Sequence, residues 1–164
     1  MIIMEKAYLD IETDKRGNIC VIGIYMEKYG FIQLSGENIT QDKLYTIIHL
    51  ADTIVTFNGD NFDLPVIKKY LDIDLRKTHK SIDLLKIKRR LGIKGGLKEL
   101  EKMFGIKRKT EGINGYNAMT LWETYVKKGR LDALNLLLEY NREDVLNLIP
   151  LEKILIEQYG GALI

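Results

Sequence analysis

Hydrophobic and polar positions along the chain predict three strands first, then strands alternating with helices. Ala7-Tyr8-Leu9-Asp10-Ile11 is apolar and β-prone and runs into carboxylates, which predicts a buried strand with acids at its C-terminal end. Lys15-Arg16-Gly17-Asn18 reads as a turn, and Ile19 to Tyr25 as a second strand that is apolar on both faces. Glu27-Lys28-Tyr29-Gly30 turns the chain again, into a shorter third strand from Phe31 to Leu34. Two tight turns between three strands imply an antiparallel meander.

Thr40 can cap a helix through Leu50, with Leu44, Ile47 and Ile48 at helical spacing. Thr53 to Phe57 predicts a fourth strand, followed by the turn cluster Asn58-Gly59-Asp60-Asn61. A helix is expected from Phe62 to Leu71, with Pro65 tolerated in its first turn. Ser81 to Asp83 suggests a short fifth strand. Helical segments follow at Leu84 to Leu91 and Leu97 to Phe104, divided by Gly95-Gly96. After a loop at Gly112 to Gly115, helices are expected over Ala118 to Lys127 and Leu131 to Ile149. Pro150 then interrupts or restarts a last helix to Tyr159, which Gly160-Gly161 stops. The order indicates an α/β domain whose mixed sheet is covered by helices on both faces. No G-x-G-x-x-G follows the first strand and no phosphate-loop motif occurs, which disfavours a dinucleotide- or nucleotide-triphosphate-binding sheet.

Composition narrows the class. The 164 residues fit one domain, expected to span 1–164. One cysteine, Cys20, excludes a disulfide framework or a cysteine-rich zinc site and suits a reducing cytoplasm. The first residues lack a basic segment followed by a long apolar one, and no run approaches the roughly 18 apolar residues of a membrane span, so neither a signal peptide nor a membrane association is expected. The net charge of +2 hides an asymmetry. Between Lys68 and Arg130 there are 18 basic and 7 acidic residues, a local net of +11, against −9 for the rest. This division suggests a polyanionic partner for the middle of the chain and a cation, such as a metal, for the flanks.

The candidate chemistry is carried by acids. Asp10 and Glu12 form D-x-E, and side chains at i and i+2 of a strand share a face. Such a pair repels unless one member is protonated or a cation lies between them, although Glu12 can also simply face solvent. Asp63 begins a helix after the fourth strand. It either joins that site at the sheet's C-terminal edge or merely satisfies the helix dipole. Tyr140 and Asp144, at i and i+4, share one helix face and would otherwise be an exposed polar stripe.

Taken together, these segments resemble a known family. Leu9-Asp10-Ile11-Glu12-Thr13 looks like the first motif of DEDD-type 3′–5′ exonucleases of the ribonuclease H-like superfamily. Asn58-Gly59-Asp60-Asn61-Phe62-Asp63-Leu64-Pro65 is similar to the second, N-x3-F-D, especially as found in proofreading domains of family B DNA polymerases. Tyr140-Asn141-Arg142-Glu143-Asp144 is similar to the third, Y-x3-D, of the tyrosine subclass. The histidine subclass would need His at position 139, where this chain has Glu139. The size and the Gly96-Leu97-Lys98-Glu99-Leu100 stretch resemble stand-alone exonuclease domains of the YprB type.

The resemblance implies a three-layer α/β/α fold with a five-stranded sheet of order 3-2-1-4-5, strand 2 antiparallel. It also implies hydrolysis of phosphodiester bonds at single-stranded DNA or RNA 3′ ends, releasing nucleoside 5′-monophosphates. Asp10, Glu12, Asp63 and Asp144 would hold two divalent ions, Mg²⁺ or Mn²⁺, about 4 Å apart. Asp10 would bridge them, Glu12 and Asp144 would favour the nucleophile-side ion, and Asp63 would serve the other. Tyr140 would orient the attacking water. Asn58 would brace the site or contact substrate, and Phe62 would pack on the terminal nucleotide. The basic block gains a use as a phosphate track, with Lys88, Arg89, Arg90, Lys107, Arg108 and Lys109 as substrate-binding candidates beside the alternative of a solvated helix face. Tyr116 and Trp122 are candidates for base stacking, with core packing the alternative for Trp122. His79 is either a neighbour of the site or an exposed loop residue. Two other readings remain, a structure-specific endonuclease on the same fold and a catalytically silent nucleic-acid-binding module. Protein partners and the choice of DNA or RNA are not legible.

Overall fold

β1 (Glu5–Thr13), β2 (Ile19–Met26) and β3 (Gly30–Ser35) form the antiparallel meander in a computed structural model that describes residues 5–159. A single 3₁₀ turn (Gly36–Asn38) leads to α1 (Gln41–Ile48), where the Thr40 side chain accepts the Lys43 N–H as the cap. β4 (Ala51–Thr56) crosses back to lie parallel to β1. α2 (Asp63–Leu71) and the short α3 (Leu75–Thr78) then lead to β5 (Lys80–Asp83), parallel to β4. The sheet order is β3-β2-β1-β4-β5, as the motif resemblance implied. α4 (Leu84–Arg90), α5 (Leu97–Met103), α6 (Gly115–Lys128), α7 (Leu131–Leu146) and α8 (Leu148–Tyr159) complete the described chain.

Strand alternation divides the core into two layers. Ala7, Leu9, Ile11, Ile22, Ile24 and Ile54 point to one face, where they meet Leu44 and Ile48 of α1 and Leu64 and Ile67 of α2. On the other face Val55 packs with Leu84, Leu100, Leu148, Leu151 and Leu155, while Val21 packs with Ala118, Leu137 and Tyr140. Asp10 and Glu12, which alternate with Leu9 and Ile11 along β1, therefore face α7, the helix that carries Tyr140 and Asp144.

Three local expectations change. α6 starts at Gly115 rather than Ala118, because Asn114 and Asn117 form a reciprocal capping box. The break between the last two helices falls at Asn147, not at Pro150. Pro150 is the third residue of α8, where a first-turn N–H has no intrahelical acceptor to lose. The one-turn helix α3 had no periodic signal, being only four residues long. Gly160-Gly161 and Met1 to Met4 lie outside the described residues. No described helix is long and apolar enough to cross a membrane.

Candidate active site

The carboxylates meet where β1 leaves its ladder with β4. The last β1–β4 pair is Tyr8 with Val55, so the strands part before Ile11. Asp63, first residue of α2, fills the gap. Its Oδ2 accepts the Ile11 N–H at 3.0 Å, and the residue is 2% exposed. The helix-start acid is thereby tied to the strand that carries Asp10 and Glu12. From the opposite face, α7 brings Asp144, and Asp10, Glu12 and Asp144 each offer an oxygen within 4.8 Å of the others.

α7 reaches this close to the sheet because of Gly23, which faces Asp10 across the β1–β2 register. A Cβ at Gly23 would lie 2.3 Å from Asn141 Oδ1 and 2.9 Å from Val145 Cγ2. In the space left, Asn141 Nδ2 donates to the Asp10 carbonyl and to Asp10 Oδ2, both at 3.1 Å. Gln33 Nε2 donates in turn to Asn141 Oδ1 at 2.8 Å.

The electrostatics favour a cation. Burial, and then the charges of Glu12, Asp144 and Asp63, push the Asp10 carboxyl well above its ordinary range. Burial and Asp144 push Glu12 up to about 8. Burial raises Asp63 to about 7 even against the hydrogen bond from Ile11. No N–H or hydroxyl among the described residues donates to the Glu12 carboxylate; it pairs with the Asp10 carboxyl, a contact that needs a shared proton when no cation lies between them. Converging carboxylates suit a hard divalent ion, which takes oxygen ligands and displaces the protons that otherwise relieve the repulsion. The donor set therefore fits a hard divalent ion rather than a soft metal.

Tyr140 is 3% exposed at the same place. Burial, reinforced by Asp144, Glu12 and Asp10, raises its phenol above the ordinary tyrosine value, so it stays protonated at neutral pH. Its hydroxyl makes no hydrogen bond to a described residue and is not fully buried.

The second motif is a tight loop. Asn58 adopts a left-handed conformation (φ 68°), which asparagine tolerates better than most residues. A Cβ at Gly59 would lie 2.1 Å from Thr56 Oγ1, so only glycine fits there. Asp83, for which sequence reading found no role, accepts the N–H groups of Asn58 (2.7 Å), Asp60 (3.2 Å) and Leu85 (3.0 Å), joining the loop to the end of β5. Phe62 stands 41% exposed at the start of α2.

The expected phosphate track is only partly a surface. Arg89, Arg90, Lys107 and Lys109 are exposed and make no ion pair among the described residues. Lys88 departs from the expectation: it is 6% exposed and its ammonium donates to the Ile93 carbonyl. Arg108 also departs from it, since its side chain is 5% exposed and donates to Asp144 Oδ1 at 2.7 Å. In each case the interior supplies acceptors that hold the long side chain away from solvent. Lys98, in the Gly96 to Leu100 stretch and without a sequence signal of its own, also reaches the site. Its Nζ lies 3.2 Å from Asp144 Oδ1 and 4.6 Å from the Tyr140 ring centre. Tyr116 is exposed, while Trp122 packs, partly buried, against the cluster of Cys20, Val21, Ala118, Leu137 and Tyr140. His79 lies at the opposite end of the sheet, with Nε2 2.9 Å from the Ile48 carbonyl.

A family model described as the RNase H superfamily matches residues 7–156, and the chain belongs to that superfamily. In shape it is similar to the family B DNA polymerase of the hyperthermophilic archaeon Pyrobaculum calidifontis, with a TM-score of 0.69 and 16% identity over 94% of this chain. The match takes in 25% of the polymerase chain, so this chain spans about a quarter of that length, and the likeness is one of fold. No curated protein matches the sequence.

Proposed function

We propose that the protein is a metal-dependent 3′–5′ exonuclease acting on single-stranded DNA or RNA ends. The observation that carries this reading is the convergence of Asp10, Glu12 and Asp144, with oxygens within 4.8 Å, beside Asp63 and Tyr140. The superfamily membership and the order of the three motifs support it. Asp10, Glu12, Asp63 and Asp144 would hold two divalent ions, which when bound supply a Lewis acid for the scissile phosphate and a nucleophile at neutral pH.

The chain's own groups then have distinct tasks. Tyr140 keeps its proton and orients the attacking water as a hydrogen-bond donor rather than as a base. Asn141 fixes the Asp10 carboxylate, and the Asp63–Ile11 bond fixes α2 against β1. Phe62 packs on the terminal base, with Asn58 setting the loop before it. Lys98, with a side chain 36% exposed, is free to leave Asp144 for a substrate phosphate oxygen. Arg89, Arg90, Lys107 and Lys109 attract the strand through its phosphates. The test is degradation of a single-stranded oligonucleotide in Mg²⁺ or Mn²⁺, expected for the natural chain and abolished in folded Asp10→Asn and Asp144→Asn. Cleavage of a circular single strand would favour an endonuclease instead, and salt-dependent binding without turnover a silent module.

A further inference from the structure

Arg108 and Glu101 form the most deeply buried ion pair among the described residues, with side chains 5% and 2% exposed. The guanidinium has five N–H donors, and the structure offers an acceptor on every side of it. Nη1 donates to both Glu101 oxygens, at 2.8 and 3.0 Å. Nη2 donates to Asp144 Oδ1 at 2.7 Å and to the Tyr140 carbonyl at 3.4 Å, and Nε donates to Thr110 Oγ1 at 3.3 Å. The planar group also lies 5.2 Å from the Tyr140 ring centre. Glu101 Oε2 also accepts from Asn147 Nδ2 at 2.5 Å. The loop that carries Arg108 is pinned to α7, where Glu143 accepts the Lys109 and Thr110 N–H groups at 2.5 and 2.9 Å.

We propose that Glu101 and Arg108 are positioning residues that fix Asp144 and Tyr140 for the reaction, and that Arg108 does not contact substrate phosphate. The inference rests on the proposed metal-dependent activity. Arg108 occupies Oδ1 of Asp144, while Oδ2 accepts no hydrogen bond from a described residue and is left for a cation. The same guanidinium grips the backbone and the ring of Tyr140, so one side chain sets both members of the third motif. Glu101 offsets the arginine charge, which lets the clamp sit beside a cation site without opposing the cation. A lysine at this position keeps the charge but not the planar fork that reaches two carboxylates at once.

The experiment uses Arg108→Lys and Glu101→Gln in the full chain. Mn²⁺ affinity is measured by titration without nucleic acid, and kcat and KM are measured on a single-stranded oligonucleotide. Loss of an outer partner of a metal ligand typically costs about 10–100-fold, so both variants are expected to bind Mn²⁺ that much more weakly. The kcat should fall similarly, with KM for the oligonucleotide unchanged. Folded variants with natural Mn²⁺ affinity and kcat would overturn the proposal, as would a rise in KM alone, the signature of a lost phosphate contact. Should Arg108→Lys fail to fold, Glu101→Gln, which keeps the volume and one acceptor oxygen, decides on its own. If the natural chain binds no Mn²⁺, or binds it equally well as Asp10→Asn, the metal-dependent reading falls, and this proposal with it. Natural Mn²⁺ binding that the two variants leave unchanged defeats only the positioning role.

Discussion

Asn141 and Asp10 are joined twice: one amide nitrogen of Asn141 lies 3.1 Å from both the backbone carbonyl and the Oδ2 of Asp10. That relationship locks α7 to β1 at the point where the carboxylates gather. Replacing Asn141 with alanine leaves a carbonyl and a carboxylate of the strand without their donor. The expected loss is about 1–3 kcal/mol of stability, read from denaturant unfolding. A loss of nuclease activity of about 10–100-fold should accompany it, because Asp10 is no longer held.

Asp63 should separate a structural role from a chemical one. Its carboxylate is the acceptor for the buried Ile11 N–H. Asp63→Ala removes that acceptor and is expected to lose about 1–3 kcal/mol. Asp63→Asn can still accept through its side-chain oxygen and should keep the fold. Both should be inactive. Thermal unfolding beside an oligonucleotide assay checks the pair.

The metal-free protein should become less stable as pH rises. Asp63 is raised to about 7 and Glu12 to about 8, and Asp10 is raised as well, so the folded state holds protons that the unfolded chain releases at lower pH. The stability linked to those protons is complete below the ordinary carboxylate range and is lost as pH climbs through about 7 and about 8. Chelated protein is therefore expected to melt lower at pH 9 than at pH 6. Mn²⁺ should raise the melting temperature more at pH 9, where it meets ionised carboxylates without displacing protons. Calorimetric scans with and without chelator at the two pH values test this.

Much of this site is legible in the sequence because its residues stand at fixed spacings on regular elements. Asp10 and Glu12 share a face by strand alternation, Tyr140 and Asp144 by helical rise, and Asp63 opens a helix that Pro65 helps to start. The residues that hold them in place were harder to read. Gly23 sits in an apolar strand with nothing to announce that a helix crosses over it. Asn141 lies inside the third motif, but only the tertiary fold shows that it faces Asp10. Charge counting places Arg108 and Lys88 with the exposed residues of a candidate phosphate track. Their burial depends on Glu101 seven residues away and Asp144 thirty-six residues away for Arg108, and on a carbonyl five residues away for Lys88. Such polar pairing has no periodicity, so it left no trace in the pattern.

The surface charges should act on binding alone. Arg89, Arg90, Lys107 and Lys109 are exposed and unpaired among the described residues. Changing any one of them to alanine is expected to weaken binding of single strands irrespective of sequence. Each removed phosphate contact should flatten the dependence of log K on log salt by about 0.7. Lys88→Ala should leave that slope unchanged, since its ammonium is turned inward. Salt titrations in a catalytically silent Asp10→Asn background give the slopes.

A 5′-labelled single-stranded oligonucleotide with a free or a blocked 3′ end, incubated with the protein in Mn²⁺, reports the polarity of degradation. The expected result is a ladder shortening one nucleotide at a time from the free end, with nucleoside 5′-monophosphates released and the blocked strand persisting. Internal cuts at equal rate in both strands, or no product in either Mn²⁺ or Mg²⁺ from folded protein, would contradict a 3′–5′ exonuclease.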